Sequence, residues 1–419
     1  MTDLEERLRA AMESAVASEQ APGNLIEVVR RRHRRHVRRA AVAGAVSAAV
    51  VAVLIPAAAG VLGRGPGPAG GHRPPASVYV VLHEKFASML VRISAATNRP
   101  GKPIRLGGSW VPTGGSLAVT PDGKTLYASA AAETTPISTA TNKPGKPIHV
   151  NGGHFAIDPD GKTAYAVGPV GAAAGLVRAT VTPVNLATNT PGKPIRLCSN
   201  PGAIAFTPDG KTAYVTCPWT SPSTVIPVNT ATNTPGRPIP AGRRARAIAI
   251  TPDGKTVYVL GLHTVTPIST ATNKRGKPIR LGSNLNALIA ITPDGKTVYV
   301  GATGAVIPIS TATNTPGTPI RIGAGIPAED IAFTPDGKTA YVANEEGPTG
   351  RVVPISTATG TPGQPILVGV GAIIAITPDG KTVYAAAHNK VVPISTATNT
   401  PGKPIRLPGG FPTWIVTTP

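Results

Sequence analysis

The sequence is poor in aromatic residues, cysteine and acid. Phe, Trp and Tyr make up 4% of the 419 residues, there are two cysteines, and 20 Asp and Glu stand against 41 Lys and Arg. A core with so few aromatic rings must be built from Val, Ile and Ala, which suits thin layered sheets. No histidine pair has a metal-ligand spacing, and no Gly-x-Ser-x-Gly elbow precedes a helix. We therefore expect no cofactor and no metal, and we favour a non-enzymatic role.

Glycine and proline are abundant instead, at 47 and 46 residues. This composition is unusual for a compact α/β enzyme but suits a chain that turns every eight to twelve residues. The net charge is +21, and residues 1–39 account for only nine of the bases and six of the acids. The remaining chain is therefore basic in its own right, which indicates either an anionic partner or a solvated, soluble surface.

One segment is apolar enough to cross a membrane. Residues 40–62 carry no charge, and a helix of that length spans roughly 34 Å. The alternative is a secretory signal cleaved near residues 57–59. An arginine-rich block at residues 30–39 abuts the segment and is expected to stay in the cytoplasm. We predict a cytoplasmic basic tail (1–39), a single transmembrane helix (40–62), a Gly/Pro-rich linker (63–76) and an extracellular domain (77–419) anchored to the cell membrane.

Everything after the linker repeats one unit. Each of the eight tyrosines occupies the same slot of the unit, 38 to 49 residues from the next. They are Tyr79, Tyr127, Tyr165, Tyr214, Tyr258, Tyr299, Tyr341 and Tyr384. A unit predicts four strands, exemplified by residues 247–250, 256–259, 392–395 and 404–407. Four-stranded units at this spacing are typical of β-propeller blades.

Two turns recur in the unit. Thr-Pro-Asp-Gly joins the first strand to the second, with Pro setting φ, Asp bonding its own backbone and Gly in the left-handed region. Asn-Thr-Pro-Gly joins the third strand to the fourth, and we predict a type II turn with Pro and Gly at its centre. A further proline stands inside the third strand, where it should face away from the ladder or sit at a bulge.

The two ends of the repeat region are complementary. The region begins at Ser77 with a second strand, and it stops at residues 414–419 with a first strand whose turn is cut off. We predict that the C-terminal strand pairs with the N-terminal blade and closes the ring, which removes free sheet edges. The count gives eight blades, with seven as the alternative if the short unit around Tyr165 is absorbed. The predicted fold class is all-β: a propeller of four-stranded blades preceded by one transmembrane helix.

These motifs resemble a known family. The Tyr-Val second strand, the Thr-Pro-Asp-Gly-Lys-Thr turn and the Ile-Ser-Thr-Ala-Thr-Asn-Thr-Pro-Gly-Lys-Pro-Ile stretch look like the YVTN β-propeller repeat family over residues 77–419. Members of that family are commonly seven-bladed, occur on surfaces or in the periplasm, and often lack assigned chemistry. The resemblance implies the fold and a binding role, although eight copies depart from the usual count. The N-terminal tail and Ala-rich span resemble those of actinobacterial membrane proteins.

Strand order sends both recurring turns to one end of the ring, here called the turn end. In seven units the first turn carries a lysine, which predicts a basic face composed of Lys124, Lys162, Lys211, Lys255, Lys296, Lys338 and Lys381. Further cations follow the second turn at the same end, at Lys102, Lys146, Lys193, Arg237, Lys277 and Lys403. The opposite end, called the loop end, carries the loops that vary between units, where binding specificity usually lies.

Cysteine and tryptophan give the first candidates at the loop end. Cys198 and Cys217 flank two strands of one blade and are candidates for a disulfide, with two separate thiols as the alternative. Trp110 and Trp219 are candidate ligand contacts, whereas Trp414 is expected to pack in the closing strand.

Charged side chains give the second group of candidates. The acids are Glu329, Asp330, Glu345 and Glu346, the arginines are Arg243, Arg244 and Arg246, and the lone histidines are His154, His263 and His388. The four acids could hold Ca²⁺, but a solvated acidic patch is the expectation. The arginines could grip a carboxylate or phosphate, or form a solvated basic loop. Each histidine is expected to be structural or solvent-facing.

These observations favour a membrane-anchored binding module. Its expected partner is a surface protein or an anionic cell-wall polymer, and we expect a monomer. The first alternative is a hydrolase of the propeller-lactonase type, although fold analogy alone does not transfer activity. The second is electrostatic adhesion of the basic face to an anionic polymer, lipid or nucleic acid; nucleic acid is the partner we least expect.

Overall fold

A computed structural model describes residues 76–84, 87–107, 116–129, 133–150, 153–170, 178–323, 325–346 and 349–419. The predicted cytoplasmic tail, transmembrane helix and all but the last residue of the linker lie outside these ranges. Within them the chain forms strands and turns without a helix, so none of the segments searched could cross a membrane as a helix.

The strands are short, and successive strands pair antiparallel. Those of residues 77–240 are β1 (Ser77–Glu84), β2 (Ala87–Ser94), β3 (Ile104–Leu106), β4 (Ser116–Val119), β5 (Thr125–Ser129), β6 (Thr134–Ser138), β7 (His154–Ile157), β8 (Thr163–Val170), β9 (Arg178–Asn185), β10 (Thr190–Pro191), β11 (Ile204–Phe206), β12 (Thr212–Cys217), β13 (Thr224–Asn229), β14 (Thr234–Pro235) and β15 (Ile239–Pro240). Those of residues 247–417 are β16 (Ala247–Ile250), β17 (Thr256–Leu260), β18 (Thr264–Ser269), β19 (Ile279–Arg280), β20 (Leu285–Ile291), β21 (Thr297–Ala302), β22 (Ala305–Ser310), β23 (Ile320–Arg321), β24 (Ala328–Phe333), β25 (Thr339–Glu346), β26 (Thr349–Ser356), β27 (Ile366–Leu367), β28 (Ile373–Ile376), β29 (Thr382–Ala387), β30 (Lys390–Ser395), β31 (Thr400–Pro401), β32 (Ile405–Arg406) and β33 (Phe411–Thr417).

These strands form eight separate sheets, so the prediction of eight blades is confirmed. Blade 1 contains β33 and β1–β3, blade 2 β4–β6, blade 3 β7–β10, blade 4 β11–β15, blade 5 β16–β19, blade 6 β20–β23, blade 7 β24–β27 and blade 8 β28–β32. The seven-bladed alternative is wrong, because the unit around Tyr165 forms the sheet of blade 3 rather than joining a neighbour.

The core is divided among the interfaces between blades. Each of eight hydrophobic clusters draws its residues from two neighbouring blades, including the pair formed by blades 8 and 1. In β1, Val78 and Val80 pack toward blade 8, while Tyr79 and Val81 pack toward blade 2. Because side chains alternate between the two faces of a strand, an inner strand buried on both faces needs apolar residues at every position.

The ring closes through the predicted pairing of the two ends of the repeat region. Strand β33 pairs antiparallel with β1, with Tyr79 opposite Val416 and Val80 opposite Ile415. Thr418 donates its N–H to the Ser77 carbonyl at 2.9 Å, and the Ser77 N–H donates to Thr418 Oγ1 at 2.9 Å. Six of the other blades make the same two bonds between the turn threonine and the start of the second strand. The closure therefore reproduces a bond pair of the repeat between the two ends of the region.

The predicted Thr-Pro-Asp-Gly turn is confirmed. In blade 5, the Gly254 N–H donates to the Thr251 carbonyl at 2.8 Å, and Gly254 has a φ of 71°. Asp253 accepts the N–H of Lys255 at 3.0 Å and the hydroxyl of Thr251 at 2.6 Å. The turn is therefore held by its own side chains as well as by its backbone.

The type II turn predicted at Asn-Thr-Pro-Gly is wrong. In blade 8 the left-handed residue is Asn399, with a φ of 55°, and its N–H donates to the Ser395 carbonyl at 2.8 Å. Gly402 instead donates its N–H to the carbonyl of Pro393 at 2.7 Å, and a Cβ on Gly402 would lie 3.2 Å from the Pro393 ring. Glycine is needed at position 402 because the backbone there lies close against the Pro393 ring. The Pro393 nitrogen lies on the same side of β30 as its carbonyl and faces the gap between β31 and β32. The N–H that proline lacks would therefore have had no strand partner, and the proline removes no hydrogen bond from the sheet.

Buried tyrosines link seven of the eight blades to the next one. In seven blades the second-strand tyrosine donates its hydroxyl to the Oδ1 of a left-handed Asn in the following blade, at 2.6 to 2.8 Å. The pairs are Tyr79–Asn142, Tyr127–Asn189, Tyr165–Asn233, Tyr214–Asn273, Tyr258–Asn314, Tyr341–Asn399 and Tyr384–Asn98. By the same repeat, the eighth tyrosine, Tyr299, is matched with Gly360, which has no side chain to accept the bond.

Candidate functional site

A disulfide braces the loop end of blade 4. The Sγ atoms of Cys198 and Cys217 are 2.06 Å apart and their Cα atoms 6.2 Å apart, so the structure pairs the two cysteines that the sequence put forward. Cys198 lies in the segment that leads into β11, and Cys217 is the last residue of β12. The bond therefore fixes the start of the β12–β13 loop against the preceding connection.

The β12–β13 loop is also held by hydrogen bonds. Thr220 donates its hydroxyl to the Cys217 carbonyl at 3.0 Å, and Ser223 donates its hydroxyl to the Pro218 carbonyl at 2.8 Å. The Ser223 backbone bonds to Gly242 at 2.9 Å and Ala241 at 2.8 Å, which belong to the connection from blade 4 to blade 5. Two loops of the loop end therefore form one braced surface.

Trp219 and Arg244 meet on this braced surface. The Trp219 side chain is 64% exposed, and the Arg244 guanidinium carbon lies 5.7 Å from the centre of its ring, within cation–π range. Arg244 has a φ of 51°, and the carbonyl of the neighbouring Arg243 accepts the N–H of Leu262 at 2.8 Å. Trp219, Arg243 and Arg244, here called the Trp219 patch, thus present one indole and two exposed guanidinium groups from fixed backbone.

Arg246, the third arginine of this connection, has a different environment. It is partly buried, and its Nη2 donates to the Leu285 carbonyl of blade 6 at 3.3 Å. Burial lowers the pKa of its guanidinium, and the nearby Arg244 charge adds to that effect. Arg246 therefore links blade 5 to blade 6 and contributes less to the exposed patch.

Asp330 also links two blades. One carboxylate oxygen accepts the Ile331 N–H and the other accepts the Ile374 N–H of blade 8, both at 2.9 Å. Burial raises the pKa of its carboxyl to about 7, although the two N–H bonds oppose this. In the same way, Asn286 donates its amide to the Ala328 carbonyl of blade 7. The carboxylate of Asp330 is thus engaged by backbone and is not presented to a ligand.

The remaining predicted acids do not assemble a metal site in the part of the chain that the structure describes. Glu329 precedes Asp330 in β24, while Glu345 and Glu346 end β25; the side chains of the last two lie outside the description. No group of three or more His, Cys, Asp or Glu side chains is close enough to hold a metal ion among the residues searched. Trp110 also lies outside the described residues, and Trp414 packs at the interface of blades 1 and 2 as expected.

The three histidines lie in different blades. His154 begins β7 of blade 3; its Nδ1 is buried without a partner, and burial lowers its pKa to about 4, so the ring is neutral at pH 7. The Nδ1 of His263 lies 3.1 Å from the Gly282 carbonyl in blade 5. His388 of blade 8 packs on Phe411, with ring centres 4.7 Å apart. The structure brings none of them together as an acid–base pair.

The turn end has alternating charge. Each of the seven predicted lysines follows an aspartate two residues earlier, and five of these pairs have N–O distances of 3.6 to 3.9 Å. They are Lys124–Asp122, Lys211–Asp209, Lys255–Asp253, Lys296–Asp294 and Lys338–Asp336. These pairs are exposed and weak, but they cancel the charge of the first turn. The excess positive charge of this end therefore comes from the second turn and the fourth strand.

One cluster of cations at the turn end was not predicted from the sequence. Arg92, Arg99 and Lys102 line a cleft between blades 1 and 2. The sequence does mark this cluster, because Arg92 occupies the third-strand position that holds proline in each of the seven other units.

Comparison with known proteins shows the fold alone. No protein-family model and no curated protein matches the chain, so the resemblance to YVTN repeats stays a prediction. Among solved structures, the dihydro-heme d1 dehydrogenase NirN in complex with DHE is 12% identical, with a TM-score of 0.65 over 85% of this chain and 78% of that one. Apo AztD from Citrobacter koseri is 13% identical, with a TM-score of 0.58 over 82% and 98%. The hydrazine synthase of Kuenenia stuttgartiensis is 23% identical, with a TM-score of 0.54 over 67% and 95%.

Proposed function

We propose that this chain is a membrane-anchored, extracytoplasmic β-propeller of the YVTN type that binds an acidic polymer of the cell wall through the Trp219 patch. The observation that carries the proposal is the exposed indole of Trp219, held beside Arg244 on loops braced by the Cys198–Cys217 disulfide. Tryptophan and arginine dominate binding energy at interfaces, and exposed tryptophan is otherwise costly to keep in water.

Rigidity of the patch favours binding. A ligand that docks on a mobile loop must order it, at a cost of about 0.5–1.5 kcal/mol for each immobilised side chain. The disulfide and the Ser223 bonds hold the β12–β13 loop before a ligand arrives.

An arginine fork binds a carboxylate or phosphate bidentately, while the indole face can stack on a sugar ring. An acidic polysaccharide or sugar-phosphate polymer offers both groups in one chain.

The proposed anchor rests on residues 1–76. The apolar segment 40–62 and the arginine block 30–39 support a single span with the propeller outside the cell. The linker of residues 63–76 would keep the propeller roughly 20 Å from the membrane, if it is a flexible coil. Protease added to intact cells should then remove the propeller and leave the N-terminal tail protected. Protection of the propeller would contradict this topology.

The patch is tested by sedimentation of the full chain, in detergent micelles, with purified cell-wall polymer. Trp219→Ala and the pair Arg243→Gln and Arg244→Gln should each weaken binding at least tenfold, the usual effect of a hot spot of about 1.4 kcal/mol or more. The matched control, Lys296→Gln with Lys338→Gln, removes two charges from the turn end and should bind within twofold of the unaltered chain. Equal binding by the patch variants and the unaltered chain would overturn the proposal, as would preferential binding of a surface protein at the patch.

A further inference from the structure

A cleft between blades 1 and 2 gathers cations at the turn end. It has a volume of about 550 Å³, and its lining includes Arg92, Thr97, Arg99, Lys102 and Thr141. The segment from β2 to β3 supplies the three cations, and the corresponding turn of blade 2 forms the opposite wall. None of the lining residues is acidic. Three positive charges therefore face one cleft without a carboxylate among its walls.

Arg92 sets this cleft apart from the other blades. The slot is proline elsewhere, at Pro136, Pro183, Pro227, Pro267, Pro308, Pro354 and Pro393. In those blades the glycine of the second turn packs against the proline ring and donates its N–H to the proline carbonyl. Gly101 makes the same bond to the Arg92 carbonyl, at 2.7 Å, but beside a long side chain instead of a ring. The Arg92 Nε donates to Ser77 Oγ at 2.8 Å. This bond orients the guanidinium group and leaves its two terminal nitrogens for other partners.

The slots of Arg99 and Lys102 hold cations in some other blades, such as Lys143 and Lys146 in blade 2, but not in blades 6 and 7. The corresponding residues are Thr315 and Thr318 in blade 6 and Thr361 and Gln364 in blade 7. Both cations of blade 1 are exposed. Blades 6 and 7 form four-stranded sheets with none of the three charges, so the architecture of the repeat does not require them.

We infer that this cleft binds linked phosphate groups. A phosphate presents three or four oxygens to donors, and two guanidinium forks with an ammonium group and threonine hydroxyls supply such a set. A carboxylate, with two oxygens, would engage only one fork. The volume of the cleft exceeds that of a single phosphate, which favours a chain of phosphates over one ion. The site lies at the opposite end of the ring from the Trp219 patch and does not depend on it.

The probe that tests this site is sodium tripolyphosphate, added to the full chain in detergent micelles at fixed ionic strength. Isothermal titration should show one dominant site per chain. The variant Arg92→Pro with Arg99→Thr and Lys102→Thr gives blade 1 the residues of blade 6 at these three slots, and it should lose at least tenfold in affinity. The pair Arg99→Thr and Lys102→Thr leaves β2 unchanged and should lose at least fourfold even if Arg92→Pro impairs folding.

A charge-matched control distinguishes the cleft from diffuse attraction. Lys193→Thr, Arg237→Thr and Lys403→Thr remove three cations from the same kind of slot in blades 3, 4 and 8. This control should bind tripolyphosphate within twofold of the unaltered chain. An equal loss in the control and the blade 1 variant would overturn the inference, as would unchanged binding by the blade 1 variant.

Two further arms identify the source of the phosphates. Phosphatidylglycerol vesicles present phosphodiesters on a membrane, and soluble poly(glycerol phosphate) presents them along a polymer. Binding to either that is displaced by tripolyphosphate and lost in the blade 1 variant supports the site and names its source. Binding to both that persists in the blade 1 variant overturns it. Trp219→Ala should leave all of these measurements unchanged, so a failure of the Trp219 patch and a failure of this site can be told apart.

Discussion

Restoring the missing member of the tyrosine–asparagine ring is expected to stabilise the propeller. Gly360 has a φ of 67°, close to the 53–57° of the seven asparagines that accept a tyrosine hydroxyl. Its N–H donates to the Ser356 carbonyl at 2.8 Å, as the Asn399 N–H does to Ser395. A Cβ on Gly360 would meet the Ile320 side chain at 3.4 Å, which is an ordinary contact. Gly360→Asn should therefore fit without moving the backbone.

The expected gain is about 1 kcal/mol. A net hydrogen bond contributes about 0.5–1.5 kcal/mol, and replacing glycine reduces the entropy of the unfolded chain by about 0.4–1 kcal/mol. The left-handed conformation costs a non-glycine residue about 1 kcal/mol, and asparagine bears the smallest share of that cost. For a protein of this size, 1 kcal/mol corresponds to a rise in melting temperature of about 1–2 °C.

A double-mutant cycle separates the hydrogen bond from the backbone effect. Differential scanning calorimetry would compare Gly360→Asn, Tyr299→Phe, both together and the unaltered chain. We expect Gly360→Asn to stabilise clearly more when Tyr299 is present, with a coupling of about 1 kcal/mol. Tyr258→Phe, which breaks an existing bond to Asn314, is the matched control and should destabilise by a similar amount. Equal gains with and without the Tyr299 hydroxyl would show that the new amide makes no hydrogen bond to Tyr299.

Three further predictions follow from single positions. Asp158 replaces the turn threonine in blade 3, and burial, with the Asp160 and Asp209 charges, raises its pKa to about 6. Asp158→Thr should therefore raise the melting temperature at pH 7. Calorimetry should show this gain shrinking as pH falls below 6 and vanishing below about pH 3, where the carboxyl is neutral in both the folded and the unfolded state. Burial raises the folded pKa of Asp330 to about 7, so its contribution to stability is fully present below about pH 4 and is lost as pH rises toward 7. Calorimetry of Asp330→Asn should therefore show a smaller fall in melting temperature over this range than the unaltered chain. An identical fall would contradict the raised pKa of Asp330. Deleting residues 413–419 removes most of β33 with buried Trp414 and Ile415 and leaves the edge of β1 unpaired. The deletion should lower the free energy of unfolding by at least about 5 kcal/mol. A truncated chain that melts no earlier than the full one would disprove the closure of the ring by β33.

The repeat made the fold predictable from sequence. A continuous apolar run, as in Val78 to Val81, indicates a strand buried on both faces, and eight copies supply eight independent examples of the same unit. The Thr-Pro-Asp-Gly turn was predictable because its geometry depends on residues within the turn, as the Asp253 bonds to Lys255 and Thr251 show. Closure followed from counting strands at the two ends of the region.

Features decided by distant contacts were not predictable in this way. The Pro–Gly of Asn-Thr-Pro-Gly has the local signature of a type II turn, but Gly402 is small because Pro393 of the third strand packs against it. The carboxylate of Asp330 looks available in sequence, yet one of its partners is Ile374, 44 residues away in another blade. The contact of Arg244 with Trp219 likewise joins two loops whose spacing only the fold reveals.

Residues that depart from the repeat therefore have different roles, and the contacts that each one makes distinguish a structural role from a binding role. Asp330 departs from the apolar residue that blades 4, 5, 6 and 8 carry at this slot, but its two backbone bonds give it a structural role between blades 7 and 8. Arg92 departs from proline, and among the described residues its side chain donates one hydrogen bond, from Nε to Ser77 Oγ. Gly360 departs from asparagine and loses a stabilising contact without visible compensation. A charged departure that packing does not use contributes little to stability. For this reason Arg92, with Arg99 and Lys102 beside it, is a stronger candidate for ligand binding than the more conspicuous acids of blade 7.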